Sequence, residues 1–103
     1  MDDTLALKAH WLAAIDDLLR KHVPQCEVWA YGSRVSGQNH DASDLDLVVR
    51  APALKPVGSP LNSLREALRD SNVPILVQVH DWARLPESFH REIEQRHVVI
   101  HKG

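Results

Sequence analysis

The sequence predicts an α/β (α+β) domain in which helices pack on a small mixed β-sheet. Three observations lead to this prediction. Apolar residues recur at helical spacing in three segments, short β-branched segments lie between them, and Pro or Gly residues separate the two kinds of segment. The order of the segments is α-β-turn-β-α-β-α, and 103 residues fit one small domain, which we assign to residues 1–103.

The first element is a predicted helix over residues 3–22. Leu12, Ile15 and Leu19 repeat at helical spacing, and basic residues at positions 20–22 suit the negative end of the helix dipole. Pro24 cannot continue a helix, so the prediction ends before it.

Four extended segments are predicted. Residues 27–31 are β-branched and aromatic and read as a short buried strand, and residues 45–50 form the second strand. Residues 74–80, rich in Val and Ile, are the third, and residues 98–100 add a short extended tail. Between the first two strands, residues 35–43 are polar and contain Gly, which predicts a short helical turn followed by a loop.

Two further helices follow. Ser59 and Pro60 are typical of an N-cap and a first helical turn, and they predict a helix that ends near residue 72. Pro86 opens the last helix, which runs to about residue 95 and is predicted to bury Phe89 and Ile93.

The composition excludes several classes of protein. A net charge of −2 argues against general nucleic-acid binding, which needs a basic surface. No apolar run is long enough to span a membrane, and no signal peptide is recognisable. The single cysteine, Cys26, cannot form an internal disulfide, so we expect a cytoplasmic location. No two of the seven histidines show a zinc-site spacing such as H-x3-H within one predicted element, so we expect ordinary surface or partner-facing roles for them.

The most informative stretch begins at Gly32 and Ser33, directly after the first strand. Gly allows a sharp turn, and the Ser hydroxyl with the following backbone N–H groups can face a phosphate. We predict Gly32, Ser33 and Arg34 as phosphate-binding residues. For Arg34, a surface ion pair with an acidic neighbour is an equally good interpretation.

Asp44 and Asp46 stand two positions apart at the start of the second strand. Residues i and i+2 of a strand project to the same face, so the two carboxylates repel each other unless a cation lies between them. Mg²⁺ favours a few carboxylates together with phosphate oxygens. We therefore predict that Asp44 and Asp46 hold Mg²⁺ beside the phosphates of a bound triphosphate, with Leu45, Leu47 and Val48 facing the core.

Together, Gly32-Ser33 and Asp44-x-Asp46 resemble the nucleotidyltransferase superfamily that includes DNA polymerase beta and kanamycin nucleotidyltransferase. The Gly-Ser-Arg start, the small residues around Gly37 and the Ser-Asp-Leu-Asp-Leu run are most similar to minimal nucleotidyltransferases, the MNT partners of HEPN-domain proteins. The resemblance covers nearly the whole chain. It implies the nucleotidyltransferase fold and transfer of NMP (usually AMP) from ATP or another NTP to a hydroxyl, with Asp44 and Asp46 as the catalytic ligands of Mg²⁺ (or Mn²⁺). It also implies an antitoxin that neutralises a helical HEPN toxin.

The chain departs from this family at one position. Active members carry a third carboxylate in a P-x-x-V-D-x-x-D-W run, and Gln78 stands in its place. Gln binds Mg²⁺ weakly, so we expect weakened transfer. Asp81 should point to the opposite face of the strand. His80 shares the face of Gln78 and is either a proton acceptor or an ordinary edge-strand histidine.

Three functions remain open. The chain is either a nucleotidyltransferase that modifies its partner or an impaired binding module that neutralises a HEPN partner by complex formation. The least favoured is a homodimeric enzyme acting on a small molecule. The chain is short for the helical second domain of larger relatives, so a partner or a second copy is expected to supply that part. The tryptophans are expected to be core or interface anchors, with base stacking a weaker alternative for Trp82.

Overall fold

The computed structural model describes residues 5–40 and 43–103. Its elements alternate between helices and strands as the sequence predicts. Two short 3₁₀ turns, Pro52–Leu54 and Trp82–Arg84, link longer elements. The elements are α1 (Ala9–His22), β1 (Glu27–Tyr31), α2 (Ser33–Ser36), β2 (Leu45–Arg50), α3 (Ser59–Arg69), β3 (Val77–Asp81), α4 (Glu87–Gln95) and β4 (Val98–His101).

Within the described residues, the strands form one mixed sheet in the order β3-β2-β1-β4. β1 pairs antiparallel with both β2 and β4, whereas β2 and β3 are parallel. This order places β2, which carries Asp46, between β1 and β3, so that Asp46 lies opposite Tyr31 on one side and Gln78 on the other. The predicted nucleotidyltransferase fold has this mixed α/β character.

Alternation along β2 divides its side chains between two layers. Leu45, Leu47 and Val49 are fully buried under α1 and α3, in the main core with Ile15 and Leu64. Val48 is also fully buried, but it points to the other face, the face of Asp46. There it packs with Trp29, with Trp82 and with Ile93 of α4.

Two stacked pairs hold α4 on this second face. The His90 ring stacks on Trp82 at 3.9 Å between centroids, and the His97 ring stacks on Trp29 at 3.8 Å. The Arg50 guanidinium lies over both indoles, at 4.1 Å and 4.6 Å from the ring centroids. Aromatic and cation–π contacts of this kind add to the burial of the rings, so α4 is held near its middle and again just after its last residue.

Several predicted boundaries are wrong. The first helix starts at Ala9 and not at residue 3, and residues 1–4 lie outside the described part. The Ala6 N–H donates to the Arg34 carbonyl at 2.7 Å, a long-range bond that takes this segment out of the helix. The N-cap of α3 is Gly58 and not Ser59, and α3 ends at Arg69.

Three further predictions are corrected and one is extended. The third strand begins at Val77 rather than at residue 74, because Pro74 has no N–H for a ladder. The helical turn begins at Ser33 rather than at residue 35, and the tail at residues 98–100 is a paired strand. Phe89 is 48 % exposed and not buried, whereas Ile93 is buried as predicted. No helix of the described residues is long and apolar enough to cross a membrane.

Candidate active site

The turn after β1 is built around Gly32. Its φ of 84° and ψ of −157° lie in a region that is essentially restricted to glycine. This conformation lets the Gly32 carbonyl accept hydrogen bonds from Val35 and Ser36, both at 3.0 Å, which start α2 immediately after the strand. Ser33, the first residue of α2, therefore follows the sheet edge directly.

Gly32 lies against the carboxylate of Asp46. A Cβ atom at position 32 would collide with Asp46 Oδ2, and its distance to the Asp46 carboxyl carbon would be 3.3 Å. A side chain at this position therefore requires the carboxylate to move. The absence of a side chain at Gly32 is what brings the predicted phosphate turn into contact with a predicted metal ligand.

The second predicted ligand, Asp44, lies on the same side of the sheet. Gln78 Nε2 donates a hydrogen bond to Asp44 Oδ2 at 3.0 Å. Gln78 is also the register partner of Asp46 across the β2–β3 ladder. The structure thus brings Asp44, Asp46 and Gln78 together, and an amide donor stands where a third carboxylate was expected.

Electrostatics at this cluster disfavour the negative charge of Asp46. Burial raises the pKa of the Asp46 carboxyl, and the nearby charge of Asp44 raises it further, whereas His80 acts in the opposite direction. Burial, followed by the charge of Asp46, raises the pKa of the Tyr31 phenol to about 12. Tyr31 therefore stays neutral at physiological pH and adds no negative charge beside Asp46.

These residues fit a single divalent cation. Two carboxylates on one face offer the hard oxygen ligands that Mg²⁺ and Mn²⁺ prefer, and a cation would relieve the repulsion between Asp44 and Asp46. Across residues 5–40 and 43–103, no group of three His, Cys, Asp or Glu side chains is arranged to hold a metal ion. Mg²⁺ commonly completes its coordination with phosphate oxygens and water.

Arg34 is almost fully buried, with 4 % of its surface exposed. Its Nε donates to the Ser43 carbonyl at 3.0 Å, and its Nη1 donates to the Ala6 carbonyl at 2.8 Å. Ser43 directly precedes Asp44, so Arg34 ties α2 to the segment that presents the first carboxylate. This positioning role could not be seen in the sequence, and contact of Arg34 with a phosphate stays a prediction.

Asp81 is turned away from the cluster, as the sequence predicts. It is 4 % exposed, and its carboxylate accepts hydrogen bonds from the backbone of Val57 and Ala83 at 2.9 Å and 3.2 Å. It therefore fastens the loop before α3 to the end of β3. His80, half-buried, lies on the face of Gln78, with its ring 6.5 Å from that of Tyr31.

Known proteins match both the sequence and the fold. The family described as the central palm domain of mitochondrial-like poly(A) RNA polymerase matches residues 1–98. A probable protein adenylyltransferase, MntA of Haemophilus influenzae, is 37 % identical over 101 residues, covering 93 % of this chain and 83 % of the relative.

Among solved structures, a toxin–antitoxin crystal structure with AMP-PNP superimposes with a TM-score of 0.73 at 20 % identity, covering 89 % of this chain and 73 % of that one. This likeness shows the fold. The match to the palm-domain family and to the relative at 37 % identity shows the lineage. The chain therefore belongs to the MNT-type nucleotidyltransferases, within the mitochondrial-like poly(A) polymerase palm-domain family.

Proposed function

We propose that this protein transfers AMP from magnesium-bound ATP to a hydroxyl group of a partner protein, as the antitoxin of a toxin–antitoxin pair. The protein acceptor is supported by the similarity to a probable protein adenylyltransferase, and the pairing by the similarity to a solved toxin–antitoxin structure with AMP-PNP. A HEPN-type helical toxin is the partner that the resemblance of the motif implies.

One observation carries the proposal: the contact between Gly32 and the Asp46 carboxylate. In the reaction, the acceptor oxygen attacks the α-phosphorus, the bond to the β-phosphate oxygen breaks, and pyrophosphate leaves. Bound metal would supply positive charge to the phosphates. Asp44 and Asp46 would hold the metal, and Gly32 and Ser33 would bind the phosphates beside it.

The acceptor proton must leave during this step. His80 lies on the same face as Gln78 and next to it along that face of β3, and this placement supports its neutral imidazole as the group that takes the proton in place of a third carboxylate. Arg34 acts through Ser43, as a positioning residue for Asp44.

The direct test uses the protein with Mg²⁺ and ATP labelled at the α-phosphate, incubated with its toxin. We expect label on the toxin that depends on Mg²⁺, and calorimetric binding of ATP that is lost in EDTA. Label that appears equally without divalent metal, or no metal-dependent affinity for any triphosphate, would end the proposal.

A second function, neutralisation by complex formation alone, is favoured by Gln78. Its amide donates to an oxygen that a metal would need, so the site at Asp44 is partly occupied by the protein itself. The double change Asp44→Asn and Asp46→Asn separates the two functions. Tight toxin binding and neutralisation that survive in this variant favour the binding module, whereas neutralisation lost together with labelling favours the enzyme.

Restoring the third carboxylate with Gln78→Asp is expected to raise magnesium-dependent transfer by about tenfold or more. The change removes the N–H that competes for Asp44 Oδ2 and adds an oxygen ligand opposite Asp46. A group that supports a metal ligand typically changes metal affinity or activity by about 10- to 100-fold. The measurement is the initial rate of label transfer over a Mg²⁺ titration.

The matched control for this gain is Gln95→Asp, the same exchange at an exposed position at the end of α4. It is expected to leave the rate unchanged. If Gln78→Asp transfers more slowly than the natural protein, Gln78 belongs to the working site and does not weaken it.

A further inference from the structure

A cavity of about 380 Å³ opens beside the turn at Gly32 and Ser33. The turn and Tyr31 form one wall, and the face of α4 that carries Phe89 forms the other. Small-molecule sites in proteins have volumes of about 300–1,000 Å³. The cavity is therefore large enough for part of a nucleotide, and it shares two residues with the predicted phosphate turn.

Phe89 gives this cavity an exposed aromatic surface. Its side chain is 48 % exposed, whereas Ile93, one helical turn later, is only 2 % exposed. Among the large exposed hydrophobic residues of the described chain, Phe89 is the one with an aromatic ring; the others are Leu54, Leu76 and Val99. α4 thus packs its aliphatic residue into the sheet and turns its phenyl ring toward the cavity.

The backbone that carries this ring is anchored by neighbouring residues of α4. His90, the next residue, stacks on Trp82 with an interplanar angle of 2°, and its Nε2 lies 2.7 Å from the Trp82 carbonyl oxygen. Ile93 is buried against the same indole cluster. The backbone that carries Phe89 is therefore anchored on both sides, which reduces the entropic cost of binding a planar ligand against the ring.

We propose that Phe89 stacks on the nucleobase of the donor nucleotide whose phosphates lie at Gly32 and Ser33. The inference rests on the proposed function, and it names the group that holds the base. A ligand with its phosphates on the turn extends directly into the cavity, because both are lined by Gly32 and Ser33. The opposite wall adds one carboxylate, Glu92, and one guanidinium, Arg96, which together suit a neutral, hydrogen-bonding base better than an anion.

Binding of two probes tests this assignment. The first is α,β-methylene-ATP, which keeps the base but cannot release pyrophosphate, and the second is inorganic tripolyphosphate, which has no base. Stacking of a base on an aromatic side chain is worth about 1–3 kcal/mol, so Phe89→Ala should weaken the nucleotide analogue between about 5-fold and 150-fold. The affinity for tripolyphosphate should not change. Both affinities are measured by calorimetry with Mg²⁺.

Two variants serve as controls, with circular dichroism to establish that each is folded. Phe89→Tyr keeps a stacking ring and should retain the affinity for the analogue. Leu54→Ala removes an equally exposed apolar side chain, 48 % exposed, from the 3₁₀ turn Pro52–Leu54, and should also leave binding unchanged.

Three results would overturn the assignment. If Phe89→Ala lowers the affinity for both probes equally, the ring supports the turn and does not hold the base. If it leaves the analogue unaffected but abolishes the complex with the toxin, the cavity belongs to a polypeptide. In both cases the proposed function stands. If the natural protein binds neither probe, the proposed function fails together with this inference.

Discussion

Asp46→Asn is expected to lower magnesium-dependent nucleotide transfer by more than about 100-fold and, in metal-free buffer at neutral pH, to raise the free energy of unfolding. Loss of a group that only hydrogen-bonds to a metal ligand typically lowers metal affinity or activity by about 10- to 100-fold. Asp46 is predicted to be a ligand itself, so its loss should cost more. The gain in stability has a separate origin, because burial and the charge of Asp44 disfavour the ionised carboxyl.

The pH dependence of this gain follows from the direction of the pKa shift. The folded pKa of Asp46 lies above its ordinary value of 3.8, so the folded state binds the proton more tightly than the unfolded state does. The native protein therefore loses stability as pH rises from that value through the folded pKa. The stability difference between Asp46→Asn and the natural protein should be largest at neutral pH and should shrink toward pH 4.

Urea unfolding at both pH values, with EDTA and with Mg²⁺ plus α,β-methylene-ATP, measures both effects. Ligand binding should stabilise the natural protein and not the variant, because only the folded, metal-binding form gains from it. Asp17→Asn, an exposed carboxylate on α1, is the control and should change neither quantity. A variant less stable than the natural protein in EDTA would mean that favourable contacts hold the Asp46 carboxylate.

Local sequence patterns were sufficient for the strands that carry the site. β1 and β2 have the predicted bounds, because β-branched runs with sharp flanking turns define them without distant contacts. The predicted start of α1 was wrong because the apolar repeat of the helix continues into the preceding segment. In the structure the Ala6 N–H of that segment donates to the carbonyl of Arg34, 28 residues away, and the segment is not helical. No periodicity contains that information.

The residues of the candidate site could be predicted from the sequence to a similar extent. The motif identified Gly32, Ser33, Asp44 and Asp46 as neighbours, since a strand end and a strand start meet in an antiparallel pair. Three features needed tertiary structure: the burial of Arg34 against Ser43, the bond from Gln78 to Asp44, and the exposure of Phe89. Each depends on which elements pack together, and their roles toward a nucleotide stay predictions.

The close approach at the turn leads to the second large effect: Gly32→Ala is expected to lower magnesium-dependent transfer by about 100-fold. The added Cβ would overlap the Asp46 carboxylate. That group is the end of a short side chain, so rotation of the carboxylate relieves the collision more easily than movement of the strand. A displacement of about 1 Å in an active site can cost about 100-fold.

The chain offers a matched control for this change in Gly58→Ala. Gly58 has φ 82° and ψ −148°, close to the 84° and −157° of Gly32, and each glycine is the N-cap of a helix. A Cβ at position 58 meets no atom within 4 Å. Both variants should therefore lose about 1–3 kcal/mol of stability through the same backbone strain, measured by urea unfolding, but only Gly32→Ala should lose transfer and metal-dependent nucleotide affinity. Equal activity in the two variants would show that contact between position 32 and the Asp46 carboxylate does not matter for the chemistry, and the site would have to be sought elsewhere on the sheet.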